Sequence, residues 1–146
     1  MDSIEFILVS ELAQGFVKKQ IAVECKINSL KIATWKNLPI DFASLMESAK
    51  TSGEYYIWTC SCGIPECANI NKGIDVLHDA VKIKWLNNSY PLKKRNLEFD
   101  KEEYCNAIKN LRIEIKKLHY QLVSLKEKFE FCPEINRLYF MENILK

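Results

Sequence analysis

Three of the six cysteines lie close together in the chain, at Cys60, Cys62 and Cys67. Gly63 and Pro65 stand between them, and both residue types are typical of tight turns. We call residues 60–67 the thiol loop. Thiols gathered at a turn could act as metal ligands, as a redox or nucleophilic site, or as small apolar side chains that close the turn. The residue types alone do not choose among these chemistries.

Zinc is the metal that suits such thiols best, because structural zinc sites use four tetrahedral ligands and accept thiolates. The thiol loop would supply three ligands, and the fourth would be His78 or a distant thiol, Cys25 or Cys105. The Cys-x-Cys-x4-Cys spacing differs from the paired Cys-x2-Cys of common zinc motifs. The competing interpretation is that Cys60 and Cys62 share one face of a strand and are simply buried there.

A catalytic or redox thiol needs a nearby cation, histidine or helix amino end that favours its thiolate form. The chain contains two histidines, His78 and His119, and neither adjoins the thiol loop in sequence. The sequence also lacks a glycine-rich phosphate loop and a recognisable set of nucleophile, base and acid. We therefore expect that the chain is not an enzyme, and a thiol-dependent enzyme is the weakest alternative.

Length and composition predict one globular domain over residues 1–146. The chain is 48% hydrophobic and 27% charged, which suits a domain with a sizeable core. Its net charge of +2 comes from 21 basic and 19 acidic residues, a balance that does not favour direct binding to nucleic acid or to a membrane. The acidic start, with Asp2 and Glu5, differs from a secretory signal. We expect a cytoplasmic protein with reduced cysteines.

The first hundred residues are predicted to form strands around one short helix. Alternation of apolar and polar residues predicts strands over residues 4–8, 21–27, 30–35, 54–60, 73–77, 80–85 and 97–99. Asp41 is the predicted cap of a short helix that ends near Lys50. In the hairpin near residue 79, we expect Val81, Ile83 and Trp85 to face the core.

A long amphipathic helix is predicted after these strands. Apolar residues recur at intervals of four and three from Tyr104 to Phe129, and Asp100 with Glu103 resembles a capping box. The stripe is compatible with a two-stranded coiled coil, but the positions beside it offer little complementary charge. We therefore expect the helix to pack on the protein's own sheet, in a monomer.

A final short helix over residues 133–144 completes the predicted fold, with Ile135, Leu138, Tyr139 and Met141 facing inward. A proline at its first position suits the first turn of a helix. Together the elements predict an α+β domain. It would have a mostly antiparallel sheet, a short helix after the early strands, and a long amphipathic helix plus a short helix at the carboxyl end.

The middle of the chain carries a distinctive run, which reads SGEYYIWTCSCGIPECANINKGIDVLHDAVKIKW and is followed by LEFDKEEYCNAI. This run resembles a group of small bacterial proteins that have a Thr-Cys-Ser-Cys-Gly core, a third cysteine near a Gly or Ala, then a hairpin and a Trp. We associate such proteins with immunity partners of polymorphic toxins, including contact-dependent growth inhibition systems. Glu66 and Asn69 depart from the small residues that the resemblance leads us to expect.

The resemblance implies a cytoplasmic inhibitor that binds one cognate toxin domain, often a nuclease, and covers its active or substrate-binding surface. An inhibitor of a basic nuclease would use carboxylates to meet the cations that bind phosphate. The acids that we expect at such a surface are Glu47, Glu54, Glu66, Asp75 and Asp79. The alternatives are that these are ordinary solvated acids, or that the chain is a zinc-stabilised module that binds nucleic acid or protein.

Overall fold

The computed structural model describes residues 1–12 and 14–146, and its architecture is α+β, as the sequence predicts. No helix in this described part of the chain is both long and apolar enough to cross a bilayer. The elements in chain order are β1 (Ile4–Glu11), β2 (Lys19–Ile27), β3 (Leu30–Lys31), α1 (Phe42–Ser48), β4 (Gly53–Tyr55), β5 (Ile74–His78), β6 (Lys82–Leu86), β7 (Leu97–Asp100), α2 (Lys101–Ser124), β8 (Phe129–Phe131) and α3 (Ile135–Tyr139). A 3-10 turn over Pro65–Ala68 precedes β5, and a π-helical turn over Phe140–Ile144 follows α3.

The strands are divided between two four-stranded sheets, both mostly antiparallel. In the first sheet, β2 pairs antiparallel with β1 and β3, whereas the short strand β8 pairs parallel with the start of β2. The second sheet has the order β4-β5-β6-β7 and is antiparallel throughout. A bridge between Asp2 and Phe99 joins the two sheets at their edges. The alternation pattern identifies the strands but does not reveal this division.

Helix α2 packs against both sheets, through β1 in the first and through β6 and β7 in the second. Asp100 caps it as predicted, and its carboxylate accepts the N–H of Glu103 at 2.9 Å. The predicted apolar stripe is buried within the chain's own core at Tyr104, Ile108, Leu111, Ile115 and Leu122. The expected packing on the protein's own sheet is therefore confirmed.

The helix α2 ends earlier than the apolar spacing predicts. Lys126 adopts a left-handed backbone conformation, with a φ of 55°. Its N–H donates to the carbonyl of Val123 at 3.1 Å, and the N–H of Glu127 donates to the carbonyl of Leu122 at 3.0 Å. This pair of bonds is a Schellman motif, which usually contains a glycine. Phe129 consequently leaves the helix and begins β8.

The carboxyl-terminal helix is present, but its inward face is not the predicted one. Asn136, Phe140 and Ile144 are buried. The side chains predicted to face inward are largely exposed, at 51% for Ile135, 56% for Leu138 and 44% for Met141, while Tyr139 is half-buried. The prediction was wrong because apolar residues were assigned inward, whereas an asparagine occupies the central buried position.

Three other local predictions need correction. The predicted third strand is reduced to the two residues of β3, and the strand predicted over residues 54–60 is reduced to β4. Beyond each of them the chain carries a buried tryptophan, Trp35 or Trp58, without continuing the sheet pairing beyond one isolated bridge. In the hairpin, Ile83 and Trp85 are buried as predicted, but Val81 lies in the turn and is 64% exposed.

The buried side chain of Asn136 fastens the carboxyl-terminal segment to the start of α1. Its Oδ1 accepts the N–H of Phe42 at 2.8 Å. Its Nδ2 donates to the carbonyl of Ile40 at 2.9 Å and to that of Cys132 at 3.4 Å. Asp41 caps the same helix, as predicted. Because the first N–H groups of a helix have no partner within it, Asn136 completes the capping of α1 from a distant part of the chain.

We expect the substitution Asn136→Ala to lower the free energy of unfolding by about 2–5 kcal/mol, because it leaves buried backbone groups of Ile40 and Phe42 without partners. Urea unfolding followed by circular dichroism measures this loss. Asn143→Ala is the matched control, since Asn143 is exposed and its Nδ2 donates to the carbonyl of Tyr139 at 3.2 Å. An equal loss in both variants would contradict this role for Asn136.

Candidate functional site

The thiol loop is a compact double turn that begins where the chain leaves the core after Thr59. The N–H of Gly63 donates to the carbonyl of Cys60 at 2.8 Å, and Gly63 has a φ of +86°. Residues that carry a side chain rarely adopt this backbone conformation, so glycine suits this position. The 3-10 turn follows, and Asn69 ends it with a left-handed φ of 63°. As a result Cys60 is half-buried while Cys62 and Cys67 are exposed.

The surroundings of Cys60 and Cys67 shift the pKa values of these two thiols in opposite directions. Donors on Cys62 and Ser61 lower the pKa of the Cys60 thiol, and the Oγ of Ser61 lies 3.9 Å from its sulfur. A hydrogen bond with the Cys62 thiol raises the pKa of Cys67. Bonds that favour a charged form lower the pKa of an acid, so Cys60 forms its thiolate more readily than Cys67 does. The structure thus places the three predicted thiols on one loop, but among the described residues it does not group them as ligands of a metal ion.

His78 does not join them. It lies in β5, where its Nε2 is 2.7 Å from the carbonyl oxygen of Ser48 and its backbone N–H donates to Ser52 Oγ at 2.9 Å. The thiol of Cys105 contacts the carbonyl of Ala49 at 3.7 Å. Among residues 1–12 and 14–146, no three His, Cys, Asp or Glu side chains form a group that could hold a metal ion.

Sequence reasoning missed a fourth thiol near the loop. Cys132 is buried, and burial raises its pKa to about 11, with the charges of Glu130 and Cys60 adding to the shift. Cys132 precedes α3, and the side chain of Ile135 lies 3.6 Å from the position that a Cβ on Gly63 would occupy. This neighbourhood joins distant parts of the chain, and no local signal in the sequence indicates it.

A second candidate site is the outer face of the second sheet. We use this name for the side of β4, β5, β6 and β7 that is turned away from the core. Glu54 and Asp75 are directly opposite one another across the β4–β5 ladder. Asp75 accepts a hydrogen bond from Asn87 Nδ2 at 3.0 Å and pairs with Lys72 at 3.4 Å, and these contacts lower its pKa. The ion pairs of the described residues do not include Glu54.

The other predicted partner-binding acids have different surroundings. Asp79 lies in the β5–β6 turn, where its carboxylate accepts the N–H groups of Val81 at 2.9 Å and Lys82 at 2.7 Å. Glu47 lies on α1 and pairs with Lys50 at 3.2 Å. Glu66 belongs to the 3-10 turn of the thiol loop. The structure therefore groups Glu54 with Asp75. The carboxylate of Asp79 instead stabilises the β5–β6 turn.

Apolar and basic side chains complete the outer face. Leu77 is 46% exposed and lies opposite Lys84 across the β5–β6 ladder. Lys84 in turn lies opposite Glu98 across the β6–β7 ladder. Leu86 lies beside Asp75 and is half-buried. The sequence contained a signal for these residues, because Asp75 and Leu77 are two positions apart and must share one face of a strand. The sequence does not show which strands are neighbours in the sheet, and therefore it does not show which side chains lie opposite one another.

The chain matches no protein-family model, and comparison with curated proteins and with solved structures also gives no match.

The hydrogen bonds that Asp79 accepts should make the stability of the fold depend on pH. The N–H groups of Val81 and Lys82, with the charge of Lys84 nearby, lower the pKa of Asp79 in the folded chain. A carboxylate with a lowered pKa stabilises the fold above its unfolded pKa of about 3.9, and this contribution is lost as the pH falls through the folded pKa. We expect Asp79→Asn to be less stable than wild type at neutral pH and to converge with it towards about pH 2.

Thermal unfolding followed by circular dichroism across this range measures the difference. Glu114→Gln, which removes one exposed carboxylate from α2, is the charge-matched control. A gap between wild type and Asp79→Asn that stays constant with pH would contradict the assigned role.

Proposed function

We propose that this chain is an immunity protein that neutralises a cognate bacterial toxin domain, a nuclease, through stoichiometric binding over the active or substrate-binding surface of that toxin. The observation that carries the proposal is the pair of carboxylates, Glu54 and Asp75, placed opposite each other on the outer face of the second sheet. The resemblance of the Thr-Cys-Ser-Cys-Gly run to immunity proteins supports the same function.

The acid pair is costly for the isolated chain. Like charges directly opposite in an antiparallel ladder destabilise it. Lys72 offsets the negative charge of Asp75 through an ion pair, and Asn87 donates a hydrogen bond to its carboxylate. Glu54 instead extends over Gly73, where a Cβ would come within 2.7 Å of its Cγ. A lysine or arginine of a partner would relieve the repulsion and form charge-assisted hydrogen bonds with both carboxylates.

Leu77 supplies an apolar contact beside the acids. Protein interfaces commonly combine a desolvated apolar centre with a polar rim, and a few central residues carry most of the binding energy. Leu77 is exposed on a strand, with Lys84 opposite it and Asp75 two positions away. The rigid sheet fixes these side chains before the partner arrives, which lowers the entropic cost of binding.

A nuclease is the target that this chemistry fits best. Its substrate site must attract phosphate and is therefore rich in cations. Paired carboxylates on the outer face can occupy such a surface and prevent access of nucleic acid. Complementary charge also speeds association, which suits an inhibitor that must act before its toxin does. The mechanism requires no catalysis by the chain.

Affinity capture tests the proposal directly. Tagged protein is used to recover partners from a lysate of its native host, with and without nuclease treatment. We expect one stoichiometric protein whose recovery is unaffected by nuclease, that stops growth when expressed alone, and whose toxicity is relieved by co-expression of this chain. Recovery that depends on nucleic acid would instead support a nucleic-acid-binding module and overturn the proposal.

The acid pair gives a quantitative prediction for that complex. We expect the double variant Glu54→Gln/Asp75→Asn to weaken binding by about 10–100-fold, mainly through slower association, and to reduce its dependence on salt. Calorimetry and stopped-flow binding at two salt concentrations measure both effects.

The matched control is Glu114→Gln/Glu142→Gln, which removes the same charge from exposed helical positions. An equal loss of affinity in the control would mean that net charge, and not the outer face, determines binding.

A further inference from the structure

We propose that a groove between α1 and α2 binds a small amphipathic carboxylate of the medium-chain fatty acid type. We call this feature the helical groove, and it lies between the end of α1 and the face of α2 that carries Cys105, Lys109 and Arg112. The apolar chain of the ligand lies along the floor, and basic side chains at the rim hold its carboxylate. The inference concerns the free protein and does not depend on the proposed function.

The helical groove has the size of a small-ligand site. Met46, Ala49 and Lys50 line one wall, at the end of α1 and just beyond it. Cys105 and Ile108 belong to the other wall, and residues three or four apart share one face of a helix. The groove has a volume of about 420 Å³, and small-ligand pockets commonly measure about 300–1,000 Å³. A protein partner is less suited to it, because each side of a standard protein interface buries about 800 Å².

The floor of the helical groove is apolar. Met46 and Ile108 are almost completely buried, with exposed fractions of 1% and 4%. Ala49 and Cys105 are half-buried beside them, and the Cys105 thiol contacts the carbonyl of Ala49 at 3.7 Å. Ile113, at the lip, is 46% exposed. An apolar chain on this floor removes its own surface and that of the groove from water, which favours binding.

The rim of the helical groove is basic. In the part of the chain that the structure describes, the charged side chains that line the groove are Lys50, Lys109 and Arg112. Lys50 pairs at 3.2 Å with Glu47, which is not a lining residue. The ion pairs of the described residues do not include Lys109 or Arg112. These cations can therefore meet a ligand carboxylate through charge-assisted hydrogen bonds.

Arg112 is held in place for this role. Its Nη2 donates to the carbonyl of Asn143 at 2.8 Å, and this bond ties the guanidinium to the segment after α3. A guanidinium has five N–H donors, so others remain for a ligand. Because Arg112 is already positioned, less side-chain entropy is lost when the carboxylate binds.

The apolar floor and the basic rim together select the class of ligand. A bare anion such as phosphate would leave the floor in contact with water. A neutral apolar molecule would leave the cations of the rim without a partner. An amphipathic carboxylate satisfies both, with its chain on the floor and its charge at the rim.

The first test titrates the full-length protein with octanoate and decanoate, below the concentrations at which they form micelles, and measures the affinities by NMR chemical shifts. We expect decanoate to bind about tenfold more tightly, since each buried methylene contributes about fourfold in affinity. Decyltrimethylammonium has the same chain and a positive head. It should bind at least about tenfold more weakly than decanoate, because the basic rim repels it.

Cys105 provides a readout at the site itself. Reduced protein is alkylated with iodoacetamide, and peptide mapping gives the rate at each thiol. With decanoate at ten times its Kd, the rate at Cys105 should fall about tenfold, because only the empty groove leaves this thiol accessible. Cys62 and Cys67 are exposed on the thiol loop and serve as internal references whose rates should not change.

Variants test the rim and the floor separately. Lys109→Gln/Arg112→Gln should weaken decanoate binding by about 10–100-fold. The matched control, Lys117→Gln/Lys128→Gln, removes the same charge from exposed positions outside the groove and should bind as wild type does. Ala49→Leu fills the groove without a change of charge and should lose decanoate binding. Circular dichroism checks that each variant is folded.

Measurements on wild type alone can overturn the proposal. It is overturned if octanoate and decanoate bind equally, if decyltrimethylammonium binds as tightly as decanoate, or if decanoate leaves the rate at Cys105 unchanged. It is also overturned if phosphatidylglycerol vesicles bind and the free acids do not. Among the variants, an equal loss of affinity in Lys117→Gln/Lys128→Gln would show that net charge, and not the helical groove, determines binding.

Discussion

The amide of Asn136 is the contact on which the rest of the fold depends. It bonds backbone groups of Ile40, Phe42 and Cys132, and all three lie in the interior or at its edge. An amide offers both an acceptor and donors, and therefore it can complete the start of α1 and the chain before it at the same time. With this contact in place, the segment that follows β8 is held beside α1, and Phe140 enters the core.

This arrangement leaves two surfaces with distinct chemistry. The inner side of the second sheet is filled by aromatic rings, with Trp85 in edge contact with Trp58, Phe99 and Tyr104. The outer side of the same strands is uncovered and charged. The thiol loop emerges after Trp58 and returns to the second sheet at β5. One surface thus presents fixed carboxylates on rigid strands, and the other presents polarisable thiols on a turn.

Local signals in the sequence were sufficient for much of the fold. Asp100 was identified as a helix cap from its neighbours alone, because capping depends on residues within one turn. Lys126 gave no such signal, since the left-handed position that it occupies is usually a glycine. Asn136 was not among the residues predicted to face inward, and polarity is a usual guide to exposure. The opposition of Glu54 and Asp75 depends on strand register, which a single sequence does not encode locally.

The parallel pairing of β8 with the start of β2 has a consequence for the order of folding. Lys19 is paired with Phe129, so the central strand of the first sheet gains this neighbour only after most of the chain has been made. Contacts between such distant segments form slowly, because a long loop must close first. While the chain is still being synthesised on the ribosome, the start of β2 lacks this partner strand along one edge. An unpaired strand edge can pair with another chain, so the start of β2 is open to such pairing during that interval.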